Sequence, residues 1–244
     1  MKVFTGRIIS TVSCDNSIFK INFCCFNKFS FEPGQFISVL VPLPNGGFQK
    51  RLYSMASSFE ESKVSGFELC IKTVQNGLGS SYLSKLKVND LIQFIGPYGH
   101  FKFQTGRGRP VVFIGTGSGV APLRSIAQSS LYQSETVPFA VALLGFRNRA
   151  EVPYFGDFEK LNFSTRYALS REPDLTAFPQ SKRVTQILSN FKASFPWTTC
   201  DYYMCGNPDM IQEVLHLLKQ RNVPDDAIFY ESFAAITEDV PVAA

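Results

Sequence analysis

Over the first hundred residues apolar positions come in short runs, often alternating with polar ones, and turn residues cut each run. The runs are KVFTGRIISTV (2–12), SIFKINFCC (17–25), GQFISVLVP (34–42), RLYSMAS (51–57), FELCIKTV (67–74) and DLIQFIGP (90–97), separated by signals such as PLPNGG and VNDL. Short strands at this spacing predict an antiparallel barrel or sandwich. One helical interruption is expected at GSSYLSKL (79–86), with Ser80 as its cap and Leu83 and Leu86 on a shared face.

After TGRGRP (105–110) the rhythm changes to strand–helix alternation. Strands are expected at 111–115, 138–145, 164–170, 201–205 and 227–230. The helix after the first of these carries Val120, Leu123, Ile126 and Ala127 on one side. The last long helix opens with Asn207 as cap, Pro208 at its first position and Asp209 beside the positive helix end. Such alternation predicts a parallel sheet covered by helices on both faces. The fold expected is therefore two-domain: an antiparallel β-barrel over 1–105, then an α/β parallel-sheet domain over 106–244.

Composition narrows the function more than the fold. With 244 residues, 45% apolar and 18% charged, the chain can bury a substantial core. A net charge of +4 without a basic tail argues against nucleic acid, and leaves room for a local basic patch facing an acidic protein. No apolar run approaches the roughly 20 residues of a membrane span, and Arg7 interrupts any signal-peptide core. A cytoplasmic monomer with no membrane partner is the expectation. Cysteines 14, 24, 25, 70, 200 and 205 form neither C-x-x-C nor C-x4-C-x-x-C, and His100 and His216 stand far apart. Neither a zinc site, nor an in-chain iron–sulfur cluster, nor a histidine triad is expected.

The stretch VVFIGTGSGVAPLRS (111–125) reads as a buried strand, a glycine-rich turn and a helix start, the layout of a dinucleotide site. Its spacing departs from G-x-G-x-x-G: counted from Gly115 the third place is Val120, and counted from Gly117 it is Pro122. Gly115, Gly117 and Gly119 remove side chains where backbone N–H groups can meet a pyrophosphate, and Pro122 fixes the first helical turn. Taken alone, the loop also suits a tight turn with no ligand.

Its company decides the matter. RLYS (51–54), GLGSSYL (77–83), GPYGHF (96–101), GTGSGVAPLRS (115–125) and YYMCGNPDM (202–210) occur in order. This set closely resembles the ferredoxin–NADP(H) reductase superfamily, across nearly the whole chain. The resemblance implies FAD on the barrel and a pyridine nucleotide on the α/β domain. It assigns Arg51 to the FAD pyrophosphate, Tyr53 to stacking on the isoalloxazine and Ser54 to its N5 edge, with Leu52 between them. Cys70, Ile71 and Lys72 would run along the flavin by main-chain contact, and Gly77, Leu78, Gly79 and Ser80 would hold a phosphate. Thr116 would touch both cofactors, and Phe233 or the tail to Ala244 would cover the flavin.

For the nucleotide the resemblance implies Gly115, Thr116, Gly117, Ser118, Gly119 and Pro122 in the loop, with Cys205, Gly206 and Met210 beyond it. Cys205 would stand beside the nicotinamide, and Glu231 corresponds loosely to a C-terminal acid. Tyr53, Ser54, Cys205 and Glu231 are thus the catalytic candidates. Ser170, Arg171 and Arg183, with Arg147 nearby, match the grip on a 2′-phosphate, so NADPH is favoured over NADH; Glu172 and Asp174 argue the other way. The implied reaction is hydride transfer between NADPH and FAD, with single electrons exchanged with a separate ferredoxin or flavodoxin. Alternatives are the reductase component of an oxygenase, a free-flavin or ferric reductase, and a non-redox regulatory subunit.

Overall fold

In the computed structural model, which describes residues 2–15, 17–172 and 183–232, the N-terminal runs become six strands. They are β1 (Val3–Ser13), β2 (Ile18–Cys25), β3 (Phe36–Pro42), β4 (Phe48–Ser54), β5 (Phe67–Lys72) and β6 (Leu91–Tyr98). All pair antiparallel, in the order β4-β3-β6-β1-β2-β5. A bridge between Met55 and Leu69 joins the end of β4 to β5, so the two edges meet and the sheet rolls closed. Period-two burial fills the inside: Phe4, Ile8, Ile21, Phe23, Leu69, Ile71, Ile92 and Phe94 share one core with Phe29 and Phe67. Five of these rings lie 4.9–5.6 Å apart between centroids. Each such side chain taken from water contributes about 1.5–3 kcal/mol, so this aromatic cluster is what holds the barrel.

Two short helices decorate it, α1 (Phe59–Ser65) and α2 (Leu78–Leu83). A capping box starts α1: the Ser58 hydroxyl accepts the Glu61 N–H, and the Glu61 carboxylate accepts the Ser58 N–H. The expected cap of α2 is corrected. Gly77, not Ser80, precedes the helix, and Ser80 lies buried inside it with its hydroxyl accepting the Val74 N–H at 3.1 Å. That bond stitches the helix to the preceding turn, which is why the serine sits one turn later than a cap.

The second half alternates as expected: β7 (Val111–Thr116), α3 (Val120–Ala127), α4 (Ser130–Gln133), β8 (Ala140–Phe146), α5 (Asp157–Lys160), β9 (Phe163–Leu169), α6 (Val184–Ser189), β10 (Asp201–Gly206), α7 (Pro208–Gln220) and β11 (Ile228–Ser232). The strands pair parallel in the order β11-β10-β7-β8-β9. Alternate residues divide between the faces. Val111, Phe113, Ala142, Leu144, Tyr203 and Cys205 pack with α3 and α5, whereas Val112, Ile114, Val141, Leu143, Tyr202 and Met204 pack with α6 and α7. Helix α7 starts as its sequence implies, with Asn207 Oδ1 accepting the Asp209 N–H at 2.7 Å.

The α3 face also takes in Ile18, Ala56, Cys70 and Phe101 from the barrel side, so both halves share one apolar cluster. Among the described residues no helix is long and apolar enough to cross a membrane.

Candidate active site

From β7 the chain steps outward through β8 to β9, then crosses back to β10 and β11, so its direction reverses between β7 and β10. Open α/β sheets bind ligands at such a point, outside the carboxyl ends of the strands. A cavity of about 860 Å³ lies there, reached by Thr116, Phe146, Ser170 and Gly206 at the ends or margins of β7, β8, β9 and β10. Its opposite wall is the barrel, through β4, β5 and α2.

On the barrel wall, β4 presents Arg51, Leu52, Tyr53 and Ser54. Arg51 and Tyr53 lie on one side, as two-residue spacing requires, and both press on α2. A Cβ at Gly79 would strike the Tyr53 hydroxyl and Arg51 Cγ, so the absent side chain there is what lets the helix approach. The Arg51 guanidinium donates to the Lys50 carbonyl at 2.8 Å and has no carboxylate partner among the described residues. Burial raises the Tyr53 phenol to about 12, which keeps it a neutral ring, while Arg51 pulls the other way. Ser54 is 8% exposed, and its Oγ has no hydrogen-bond partner among the described residues. A buried, unsatisfied hydroxyl costs free energy unless something meets it. A guanidinium fork without a carboxylate partner among the described residues, a flat phenol and an orphaned hydroxyl in a row fit a ligand with a pyrophosphate and a polar ring edge, as FAD has.

On β5, Cys70 and Lys72 line the cavity. The Lys72 side chain reaches the facing domain: a Cβ at Gly117 would lie 3.8 Å from its Nζ. Its reach exceeds the main-chain role expected of it.

The sheet wall is mostly backbone. Gly117, Ser118 and Gly119 form a 3-10 turn between β7 and α3. A Cβ on Gly119 would run into the Cys205 carbonyl, and one on Gly206 into Thr116 Oγ1. The two loops therefore lie backbone to backbone, joined by Thr116 Oγ1 accepting the Asn207 N–H at 2.9 Å. At the far rim stand Arg147, Ser170, Arg183 and Met210. Arg183 faces Glu213 at 3.4 Å, and Glu172 accepts the Arg149 N–H at 3.1 Å.

Several expected residues do not put their side chains into this cavity. Ile71 points into the barrel core, because strand alternation turns it away from Cys70 and Lys72. Gly115 faces α3, where a Cβ would meet Leu123 at 2.9 Å, and Pro122 is buried within α3. Arg171 is exposed outside the cavity, its N–H bonded to the Arg147 carbonyl at 2.6 Å. Cys205 is wholly buried on the α3 face of β10, and burial pushes its thiol far up. Glu231 lines a second cavity of about 600 Å³ with Phe36, His100, Phe101 and Tyr230. Phe233, Asp174 and the tail to Ala244 lie outside the described residues.

Sequence reasoning missed Gly145, Glu151, Ala168, Val184, Thr185 and Glu213, all of which line the cavity. Their common property is position just before, at or just after a strand end, or in a helix beside one, which the expected strand positions could have exposed.

Residues 7–103 match the family described as oxidoreductase FAD-binding domain, and residues 113–216 the family described as oxidoreductase NAD-binding domain. Over 220 residues the chain is 30% identical to the reductase component of propane 2-monooxygenase from Mycolicibacterium smegmatis, covering 85% of this chain and 60% of that protein. Over 133 residues it is 37% identical to ferredoxin–NADP reductase B from Sorangium cellulosum, covering 54% of this chain and 53% of that protein. It thus spans only 53–60% of the length of these curated relatives. A solved ferredoxin–NADP+ reductase from Neisseria gonorrhoeae, with bound FAD and NADP, shares the fold at a TM-score of 0.82 and 19% identity, covering 95% of this chain and 99% of that one.

Proposed function

The chain belongs to the ferredoxin–NADP(H) reductase superfamily of FAD- and NAD-binding oxidoreductases, and on that premise we propose that it passes electrons from NADPH, through FAD, to a separate ferredoxin or flavodoxin. The observation that carries this reading is the cavity of about 860 Å³ between the barrel and the ends of the parallel strands, with Ser54 orphaned on one side and the glycine turn on the other. When bound, FAD accepts a hydride from the nicotinamide and releases electrons one at a time. The chain's own residues position and shield. Arg51 holds the flavin nucleotide's pyrophosphate, Tyr53 supplies a neutral face for the ring, and Ser54 donates its free hydroxyl to the ring edge. Lys72 and the backbone of Gly117–Gly119 receive the second pyrophosphate. Cys205 acts by shape beneath the loop junction, since its thiol is buried and kept protonated.

The preference for NADPH rests on the far rim, where Arg147, Arg183 and Ser170 suit a 2′-phosphate. The nearby acid Glu172 is engaged with the Arg149 backbone, whereas Arg183 pairs with Glu213 at 3.4 Å on the exposed rim, a weak contact that a 2′-phosphate would displace. The ratio of kcat/KM for NADPH and NADH checks this: at least about tenfold in favour of NADPH is expected, worth ~1.4 kcal/mol. A preference for NADH overturns the nucleotide assignment and leaves the fold untouched.

A second reading makes the chain the reductase part of an oxygenase. It is favoured by likeness to the propane 2-monooxygenase reductase component and to the toluate 1,2-dioxygenase electron transfer component of Pseudomonas putida. Anaerobic reduction followed by mixing with ferredoxins, flavodoxins and oxygenase components separates the two. Rapid reoxidation by a free ferredoxin or flavodoxin supports the first.

A further inference from the structure

We propose that Arg124 is a positioning residue that locks the nucleotide turn to the barrel and so sets the approach between the two cofactor sites. The inference rests on reading the shared cavity as a flavin and nucleotide site. All eight residues of α3 are buried, and Arg124 is the helix's one charged member, 8% exposed. A cation so enclosed must be paired. Its Nη1 donates to the Ala56 carbonyl at 2.9 Å, and Nη1 and Nη2 together grip both Glu61 carboxylate oxygens at 3.1 Å. Nε donates to Asp157 at 2.9 Å, and the guanidinium lies 4.5 Å from the centre of the Tyr154 ring. Tyr154 in turn donates its hydroxyl to Glu68 at 2.7 Å.

The partners come from both sides. Ala56, Glu61 and Glu68 belong to the barrel half, Asp157 and Tyr154 to the sheet half. Next to Arg124, the Ser125 hydroxyl donates to the Ser57 carbonyl at 2.7 Å. The apolar cluster shared by the halves makes them adhere, but hydrophobic contact has no direction. A bidentate guanidinium does, and it fixes register as well as proximity. Arg124 follows Gly119 by five residues, and Ala56 follows Ser54 by two, so the lock joins the two cofactor walls through short stretches of chain. Hydride transfer from nicotinamide C4 to flavin N5 breaks one C–H bond as it forms one N–H bond, oxidising the first ring and reducing the second. Small misplacements at that step cost rate.

The test compares Arg124→Gln, Glu61→Gln and Ser58→Ala with the wild type. Ser58→Ala removes the hydroxyl that accepts the Glu61 N–H, keeps the Ser58 N–H that donates to the Glu61 carboxylate, and leaves every donor and acceptor of the Arg124 bonds present. Anaerobic stopped-flow at saturating nucleotide should show flavin reduction slowed about ten- to a hundred-fold in Arg124→Gln and several-fold in Glu61→Gln. FAD and nucleotide dissociation constants should stay within about threefold, and Ser58→Ala should reduce at the wild-type rate. Without cofactors, hydrogen exchange over 56–61 and 120–127 should quicken in Arg124→Gln and Glu61→Gln. Wild-type limiting rates in both variants, or losses that merely track lost FAD, overturn the proposal. Should Arg124→Gln fail to fold, Glu61→Gln decides. If the wild type itself is not reduced by either nucleotide, the functional reading fails, and unchanged exchange would still sink the lock.

Discussion

The two walls of the cavity are made of different material. The barrel wall presents side chains: Arg51, Tyr53, Ser54 and Lys72 stand out from strands whose other faces are packed inside. The sheet wall presents mostly backbone, where Gly117–Gly119 and Gly206 bring two loops into contact at the ends of parallel strands, and side chains such as Arg147 and Arg183 stand only at its far rim. Antiparallel strands running along a ligand offer a side chain every second residue, whereas parallel strands ending at it offer loops and N–H groups. The first wall should therefore fail when a side chain is removed, and the second when one is added.

Addition is expected to do the greater damage. A methyl at Gly119 must displace the Cys205 carbonyl, which is backbone and cannot swing aside. Gly119→Ala should weaken nucleotide binding at least about 100-fold, ~2.7 kcal/mol, with FAD retained; titration of the yellow protein measures it, and normal binding would refute the backbone wall. Removal on the other side comes next. Arg51→Ala should lower FAD affinity about ten- to a hundred-fold, the scale of hydrogen bonds to a charged group at ~1.5–3 kcal/mol. Fluorescence titration of the FAD-free protein reads this, and affinity within twofold would remove Arg51 from the site.

The same contrast governs what could be read in the sequence. Strands such as Val111–Thr116 and Ala140–Phe146 were legible because both faces are covered and the apolar run is continuous. Helix α1 was not, because its seven residues bury only Ser62 and leave no apolar stripe; Ser58 and Glu61 were the one local signal. Arg51, Tyr53 and Ser54 announce themselves within four residues of chain. Gly145, Thr185 and Glu213 have no such local mark, and line the cavity only because parallel pairing gathers β9, β8, β7 and β10. Ile71 and Cys205 show the converse: a motif does not say to which face alternation turns each side chain, and both turn into a core.

Ser54→Ala sharpens the comparison with a smaller effect. The Ser54 Oγ has no partner among the described residues, so removing it relieves a desolvated group instead of breaking a bond. The FAD-free variant should melt at or above the wild-type Tm. Loaded, it should reduce about tenfold more slowly, with a smaller change in FAD affinity. Equal turnover would count against the hydroxyl's role at the ring edge.

Glu231 belongs to neither wall and carries the smallest expected effect. It lies opposite Cys205 in the β10–β11 register, with Gly99 close by and its Oε2 unpartnered among the described residues. Burial raises its carboxyl from 4.5 to about 7. The folded chain then binds a proton between those values that the unfolded chain has released. Stability from this group is full below about 4.5 and is lost as pH climbs through about 7. Glu231→Gln mimics the protonated form at every pH, so its stability relative to wild type should rise between pH ~5 and ~8. Urea unfolding of both proteins at the two pH values measures the difference. A difference independent of pH would mean that the carboxyl is ionised in the folded chain, and that the second cavity admits enough water to solvate it.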